Sequence, residues 1–165
     1  MLRFEEFTPD NWREDLRVAP EQERFVAPRV AIQARAWAFR KDHACAYLVR
    51  NDDTSIGVVL WYNLPDENMY DLSEFFIDAR YQRQGFGEAA MVMALDYLAD
   101  EGRYPSVVLC YIAGNEGARR LYEKLGFKPC DFDEGAGDEE PCMSLLLDDW
   151  RKRRREASHG DGDEV

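Results

Sequence analysis

The sequence predicts a single α/β domain of the α+β kind, on three observations. Apolar runs of strand length recur between turn-forming residues, and helix-length runs begin and end at recognisable caps. Between a strand-like run, Leu72 to Ile77, and a helix-like run, Glu88 to Asp100, lies Gln82-Arg83-Gln84-Gly85-Phe86-Gly87, a turn whose glycines let backbone pass close to a ligand.

In chain order, Leu2 to Phe7 alternates weakly as a first strand, and Thr8-Pro9 reads as a helix start with Thr as N-cap and Pro in the first turn. Pro28 opens another helix, in which Val30, Ala34, Trp37 and Ala38 recur at helical spacing and predict its apolar face. His43 to Arg50 and Ser55 to Leu64 read as strands joined by the hairpin turn Asn51-Asp52-Asp53-Thr54. After the glycine turn and its helix comes the all-apolar Val107 to Ile112, then a short helix stopped by Gly126. The acidic, Gly-rich run from Asp133 to Glu140 joins Phe127 to Asp131 to a last strand, Cys142 to Leu147. No apolar periodicity continues past Trp150, so the domain is expected over residues 1–150, with 151–165 a charged, disordered tail.

A glycine turn opening a helix is suited to a pyrophosphate, because the helix points unpaired N–H groups and its positive dipole end at the turn. Alone it is a weak signal, and ordinary turns share it. Here a second motif follows at Asn115-Glu116-Gly117-Ala118-Arg119-Arg120-Leu121-Tyr122-Glu123-Lys124-Leu125-Gly126-Phe127. Strand, Gln-x-x-Gly-x-Gly, helix, strand and Asn-x-x-Ala-x-x-Leu-Tyr-x-x-x-Gly-Phe together resemble the acetyl-CoA site of the GCN5-related N-acetyltransferase (GNAT) family over residues 70–147. The resemblance implies a mixed, mostly antiparallel twisted sheet of six to seven strands flanked by helices and splayed between the fourth and fifth strands.

It also implies roles. Acetyl-CoA would be held at its pyrophosphate by Arg83 and by the turn from Gln82 through Gln84, Gly85, Phe86, Gly87 and Glu88 to Ala89. Asn115 and Ala118 would meet the pantetheine arm, and Lys124 the nucleotide end. Pantetheine would pair with Phe76, Ile77 and Asp78 as an added strand would, with the N–H of Ile77 serving the oxyanion. Tyr122 would hold a hydroxyl near the cofactor sulfur; the competing reading is an aromatic ring packed beside Leu121 and Leu125. Acyl transfer to an amine also needs the ammonium to lose a proton. Glu74 and Asp71 stand where branches of the family place acids, but strict alternation sends them to opposite faces unless a bulge intervenes. Water-relayed deprotonation is the alternative. Cys110 as an acyl-carrying nucleophile is the disfavoured rival, since an apolar strand opposes its thiolate.

Charge bears on the acceptor. The chain has 165 residues and a formal net charge of −12, and residues 1–150 carry −13 because the tail from Arg151 has five basic residues against four acids. Such a field repels nucleic acid and anionic membranes and concentrates cations. The stretch Leu72 to Gln82, with Asn11-Trp12, Leu16-Arg17-Val18 and Gln22-x-x-Phe25-Val26-Ala27-Pro28, resembles the bacterial spermine/spermidine and diamine branch of the family. That implies a small cationic amine held by spaced carboxylates and aromatic faces, for which Glu74, Asp71, Glu23 and Tyr62 are candidates, with Asp66, Glu67, Trp37 and Trp61 behind them. The alternatives are an acetyltransferase for a protein N-terminus, a lysine or an amino sugar, and a non-catalytic acyl-CoA-binding module. Members of the family commonly form homodimers, although no oligomeric state is legible in this sequence.

No apolar run approaches the ~18 residues of a membrane span, and Met1 to Glu6 has no apolar signal core, so a soluble, cytoplasmic protein is expected. Cys45, Cys110, Cys130 and Cys142 lack metal-ligand or redox spacing; they are expected to be reduced packing residues, with no metal bound. The basic run Arg151 to Arg155 has no aromatic residues interleaved and reads as a solvated extension, or one folded back on its own acidic domain.

Overall fold

The computed structural model describes residues 1–132 and 137–160. Among them, seven strands form one sheet: β1 (Leu2–Glu6), β2 (Cys45–Asn51), β3 (Thr54–Leu64), β4 (Met69–Ile77), β5 (Ser106–Cys110), β6 (Lys128–Pro129) and β7 (Cys142–Leu146). Their order is β1-β2-β3-β4-β5-β7-β6, antiparallel throughout except for the parallel β4–β5 pair. The helices are α1 (Arg29–Ala38), α2 (Phe86–Glu101), α3 (Glu116–Leu125) and α4 (Leu147–Gly160). None is long and apolar enough to cross a membrane.

The helices cover both faces, and the strand alternation shows it. Val49, Val59 and Trp61 pack with Met91, Ala94, Leu95 and Leu98 of α2, while Leu48, Val58 and Leu60 pack with Ile32 of α1 and with Leu16 and Val18. β3 is buried from Ser55 to Asn63 because it has a core on each side. Gly57 lies in that strand because nothing larger fits: a Cβ there would collide with the Phe76 carbonyl oxygen and the Ile77 side chain.

Three expectations are corrected. No helix follows Thr8-Pro9; Asn11 and Trp12 donate to the Thr8 carbonyl in a turn over residues 8–12. The Asn11 amide then ties the segment to Glu5 and Glu6 of β1, and the chain leaves in time for Leu16 and Val18 to enter the core beneath α1. In α1, Val30 and Trp37 are exposed and Ile32 is the buried anchor, so the apolar face lies elsewhere than the spacing predicts; Arg40 covers the Trp37 ring instead.

The third concerns the tail, which is helical through residue 160. Trp150 donates its indole N–H to Asp96 at 2.8 Å, and Arg154 reaches the same carboxylate at 3.1 Å. Arg151 donates to the Ala99 carbonyl, and Arg153 donates to the Leu125 carbonyl at 2.7 Å. Arg151 and Arg153 are thus spent on carbonyls at the ends of α2 and α3, where the helix dipole favours positive charge. Of the run Gly160 to Asp163 expected to be disordered, Gly160 ends the helix and the rest lies outside the described residues. Arg153→Ala should cost about 1 kcal/mol, lowering the melting temperature by roughly 2–4 °C, with calorimetry as the check.

Candidate active site

β4 and β5 pair only at Met69–Ser106, Tyr70–Val107 and Asp71–Val108. Beyond Asp71 they part, and the gap opens into a cavity of about 630 Å³. Its wall runs from Gln82, Arg83 and Gly87 of the glycine turn past Ile77 to Asn115, Ala118 and Tyr122, and a 3-10 turn at Pro20–Phe25 closes it with Gln22 and Phe25.

The ladder sets which backbone groups face this gap. Asp78 donates its N–H to Ile56 across β3 at 2.8 Å, so alternation aims the N–H of Phe76 at β3 and that of Ile77 at the open edge. Of the stretch from Phe76 to Asp78, Ile77 is thus the residue whose N–H faces the gap. Gln82 donates its amide to the Ile77 carbonyl at 2.8 Å and to Gln22 at 2.9 Å, latching the turn to the strand end and to the 3-10 turn. Asp78 works below the cleft: its carboxylate accepts the N–H of Arg17 and of Arg80, and the Arg80 guanidinium.

The turn fits a pyrophosphate. Gly85 is the N-cap of α2 with φ 82° and provides no side-chain cap, so the first N–H groups of the helix are left to face solvent or a ligand. A Cβ at Gly85 would meet nothing, and one at Gly87 would meet only Ile77, so the cradle is open. Arg83, itself at φ 61°, lies exposed on the turn and lines the cavity. Phe86 packs on the core, Gln84 bonds back to Arg80, Glu88 is bonded to Lys124, and Ala89 is exposed; none of the four lines the cavity. Asn115 caps α3 by accepting the Ala118 N–H.

Tyr122 lies at the inner end, 7% exposed, between Tyr111 and Phe127. Burial first, and then the nearby Glu74, push its hydroxyl well above the ordinary phenol value, so it keeps its proton. The ring packs, as the competing reading expects, and the side chain also lines the cavity.

The bulge that the two acids require is present. Leu60 faces Glu74 and Tyr62 faces Asp71, so Leu72 and Ser73 together oppose Trp61. The side-chain parity flips there: Tyr70 and Leu72 enter the core beneath α2, and so do Phe75 and Ile77. Asp71 and Glu74 consequently share the other face and line a second cavity of about 280 Å³ with Arg24, Arg35, Tyr111 and Glu140. Arg35 donates to Glu74 at 2.9 Å and to Ser73 at 3.0 Å. Glu74 lines both cavities and joins them.

Other candidates lie elsewhere. Tyr62 is buried against Phe39 at 4.9 Å, Glu23 is exposed on the 3-10 turn, and neither lines either of these two cavities. Trp61 is core, packed among Phe4, Tyr47 and Tyr97. Tyr111, Arg24, Arg35 and Glu140 were not singled out in the sequence; Tyr111, directly after the apolar strand, is the one that position alone signals. The cysteine expectation is corrected too, because Cys110 and Cys142 are disulfide-bonded, while Cys45 and Cys130 are free.

A sheet splayed beside a glycine-capped helix defines a nucleotide-linked acyl carrier site, and the acetyltransferase (GNAT) family model matches residues 6–127. The chain belongs to that family. A spermine/spermidine N(1)-acetyltransferase of Bacillus subtilis is 35% identical over 57 residues, a stretch covering 34% of this chain and 38% of that relative. Vibrio cholerae spermidine N-acetyltransferase, solved in complex with CoA and spermine, superposes with a TM-score of 0.71 at 16% identity, covering 91% of this chain and 98% of that one. The Escherichia coli ribosomal-protein-S18-alanine N-acetyltransferase superposes with a TM-score of 0.63 at 18% identity, over 89% and 94%. These likenesses carry the fold.

Asp78 gives the site a pH signature. Burial alone would raise its carboxyl, but the Arg80 guanidinium and the backbone N–H groups of Arg17 and Arg80 outweigh it and hold it below the usual range. A lowered native value means stability that is present above about pH 4 and lost as pH falls through the native value. Asp78→Asn should melt lower than the parent at pH 7, and the gap between the two should narrow from pH 4 to pH 2, as read by melts across that range.

Proposed function

We propose that this chain moves the acetyl group of acetyl-CoA to a primary amine, with a polyamine or diamine such as spermine or spermidine as acceptor, by direct attack in a ternary complex. One observation carries the reading: the bulge in β4 aligns Asp71 and Glu74 on the face of the gap where an amine would enter, opposite the cradle. Acetyl-CoA would supply the activated acyl group, held by the α2 turn, Arg83, Asn115 and the edge of β4. The Ile77 N–H is aimed where charge would develop on the carbonyl oxygen. Tyr122 holds the proton that a departing sulfur needs, and Glu74 or a water bonded to it receives the one the ammonium gives up.

The acidic surroundings support a cationic acceptor. The small cavity also holds Arg24 and Arg35, and these favour a second reading, an amine flanked by carbonyl acceptors such as a protein N-terminus.

The test is thiol release from acetyl-CoA against spermidine, spermine, putrescine, a lysine peptide, an N-terminal peptide and an aminoglycoside. Saturable turnover on the polyamines is the expected result; turnover on peptide alone would favour the second reading, and thermal stabilisation by acetyl-CoA without turnover on any amine would leave a binding module. Tyr122→Phe should lower kcat about a hundredfold with acetyl-CoA affinity held. Because its hydroxyl is raised above about 10, no loss of rate at lower pH should trace to Tyr122; an alkaline limb that Tyr122→Phe abolishes at pH 8 would contradict this.

A further inference from the structure

Cys110 and Cys142 face each other on the last rung of the β5–β7 ladder and are joined by a disulfide. Val107 and Leu109 enter the core beneath α2, so alternation turns Cys110 to the opposite face. There it lines both the large cavity and the small one, beside Tyr111. Cys142 lies behind it, 6% exposed, and lines neither. The bond thus presents one sulfur to the cleft and keeps the other in the protein.

We infer that Cys110 is a site of S-thiolation by coenzyme A, and that the Cys110–Cys142 bond makes the enzyme sensitive to its own thiol product. This rests on the acetyl-CoA reading of the cleft, because every transfer leaves a free thiol there. In the step, Cys110 Sγ takes a new bond to the coenzyme thiolate and its bond to Cys142 Sγ breaks. The electron pair leaves on Cys142, which takes up the proton the coenzyme gave up. No external oxidant is consumed, since the protein disulfide is exchanged for a mixed one. Access selects Cys110 over Cys142, and the Cys142 sulfur, 3.4 Å from the Glu140 carbonyl, is placed to donate once it is a thiol. Acetyl-CoA has its sulfur acylated and cannot exchange, so it protects. The mixed disulfide occupies the cleft and stops turnover until a dithiol releases it.

The experiment takes the full chain after mild oxidation and removal of the oxidant, and counts alkylatable thiols. Two, at Cys45 and Cys130, are expected; four would overturn the inference. Coenzyme A is then added alone, and intact mass and peptide mapping follow. Expected are a gain of one whole coenzyme A at Cys110, a newly alkylatable Cys142, reversal by dithiothreitol and suppression by excess acetyl-CoA. Cysteamine at the same concentration should label at least about tenfold less, because it lacks the docking that raises local concentration. Cys142→Ser should form no adduct with reduced coenzyme A. No adduct, an adduct on another cysteine, or equal labelling by cysteamine overturns the inference. Thermal stabilisation by acetyl-CoA on the same preparation separates the two readings: stabilisation without an adduct sinks S-thiolation alone, and neither signal sinks the cofactor reading with it.

Discussion

The parting of β4 from β5 is the constraint on which the rest of this structure depends. Two parallel strands that stay paired bury their N–H and C=O groups on each other; two that separate must find other partners for them. Three rungs hold the pair from Met69 to Asp71, and the edge of β4 then faces a cavity. Everything on the far side of that edge is rigidly supported. β3 pairs with β4 from Gly57 to Leu60 beside the gap, Gly57 lets β4 pass closely, and Gln82 holds the Ile77 carbonyl, so the Ile77 N–H is offered from a fixed position. A donor fixed in advance needs no reorganisation when charge appears opposite it, and this is where such sites gain their effect.

The bulge is the second half of the same design. A regular β4 would send Asp71 and Glu74 to opposite faces, one into the core beneath α2, where an unpaired carboxylate would be costly. One extra residue reverses the parity after Leu72, and Tyr70, Leu72, Phe75 and Ile77 all remain with the core while both acids reach the small cavity on the other face. The packing and the chemistry are satisfied by one irregularity. Glu74, so placed, also adds to the raising of the Tyr122 phenol.

Most of the strands and the two family motifs were legible because their signals are local: alternation, glycine turns, and the Asn115 cap and Gly126 stop of α3. What the sequence left illegible is long-range. Alternation identifies the problem of Asp71 and Glu74, but whether a bulge solves it depends on how β3 pairs, which no run of residues states. Tyr62 and Trp61 read as cation-binding aromatics, and tertiary packing put both in the core. In α1 the apolar spacing pointed to Val30 and Trp37, whereas the face was decided by Ile32 meeting Leu48 and Val58. The tail failed for another reason: its cations have no apolar period, and they dock on helix-end carbonyls that sequence patterns do not reveal. The cysteines were judged by spacing along the chain, yet Cys110 and Cys142 meet across a ladder with 32 residues between them.

The arginines refine what the net charge implies. A formal −12 suggests an open acidic groove, but the small cavity lined by Asp71, Glu74 and Glu140 is lined by Arg24 and Arg35 as well, and Glu74 is held by Arg35 at 2.9 Å. With the Glu74 side chain 14% exposed, that partner offsets the cost of keeping the carboxylate charged away from water. On the proposed reading, an ammonium approaching Glu74 would replace one cation with another rather than fill an empty site. Exchange of this kind weakens binding to any single ammonium while leaving the field of the whole protein to draw polycations in. On the polyamine reading, a chain of several ammonium groups would keep further charges for the acidic surroundings after the first had displaced Arg35, and a simple monoamine would have none. On that reading the Arg35 guanidinium would act as a specificity element, favouring acceptors whose charge is spread along their length.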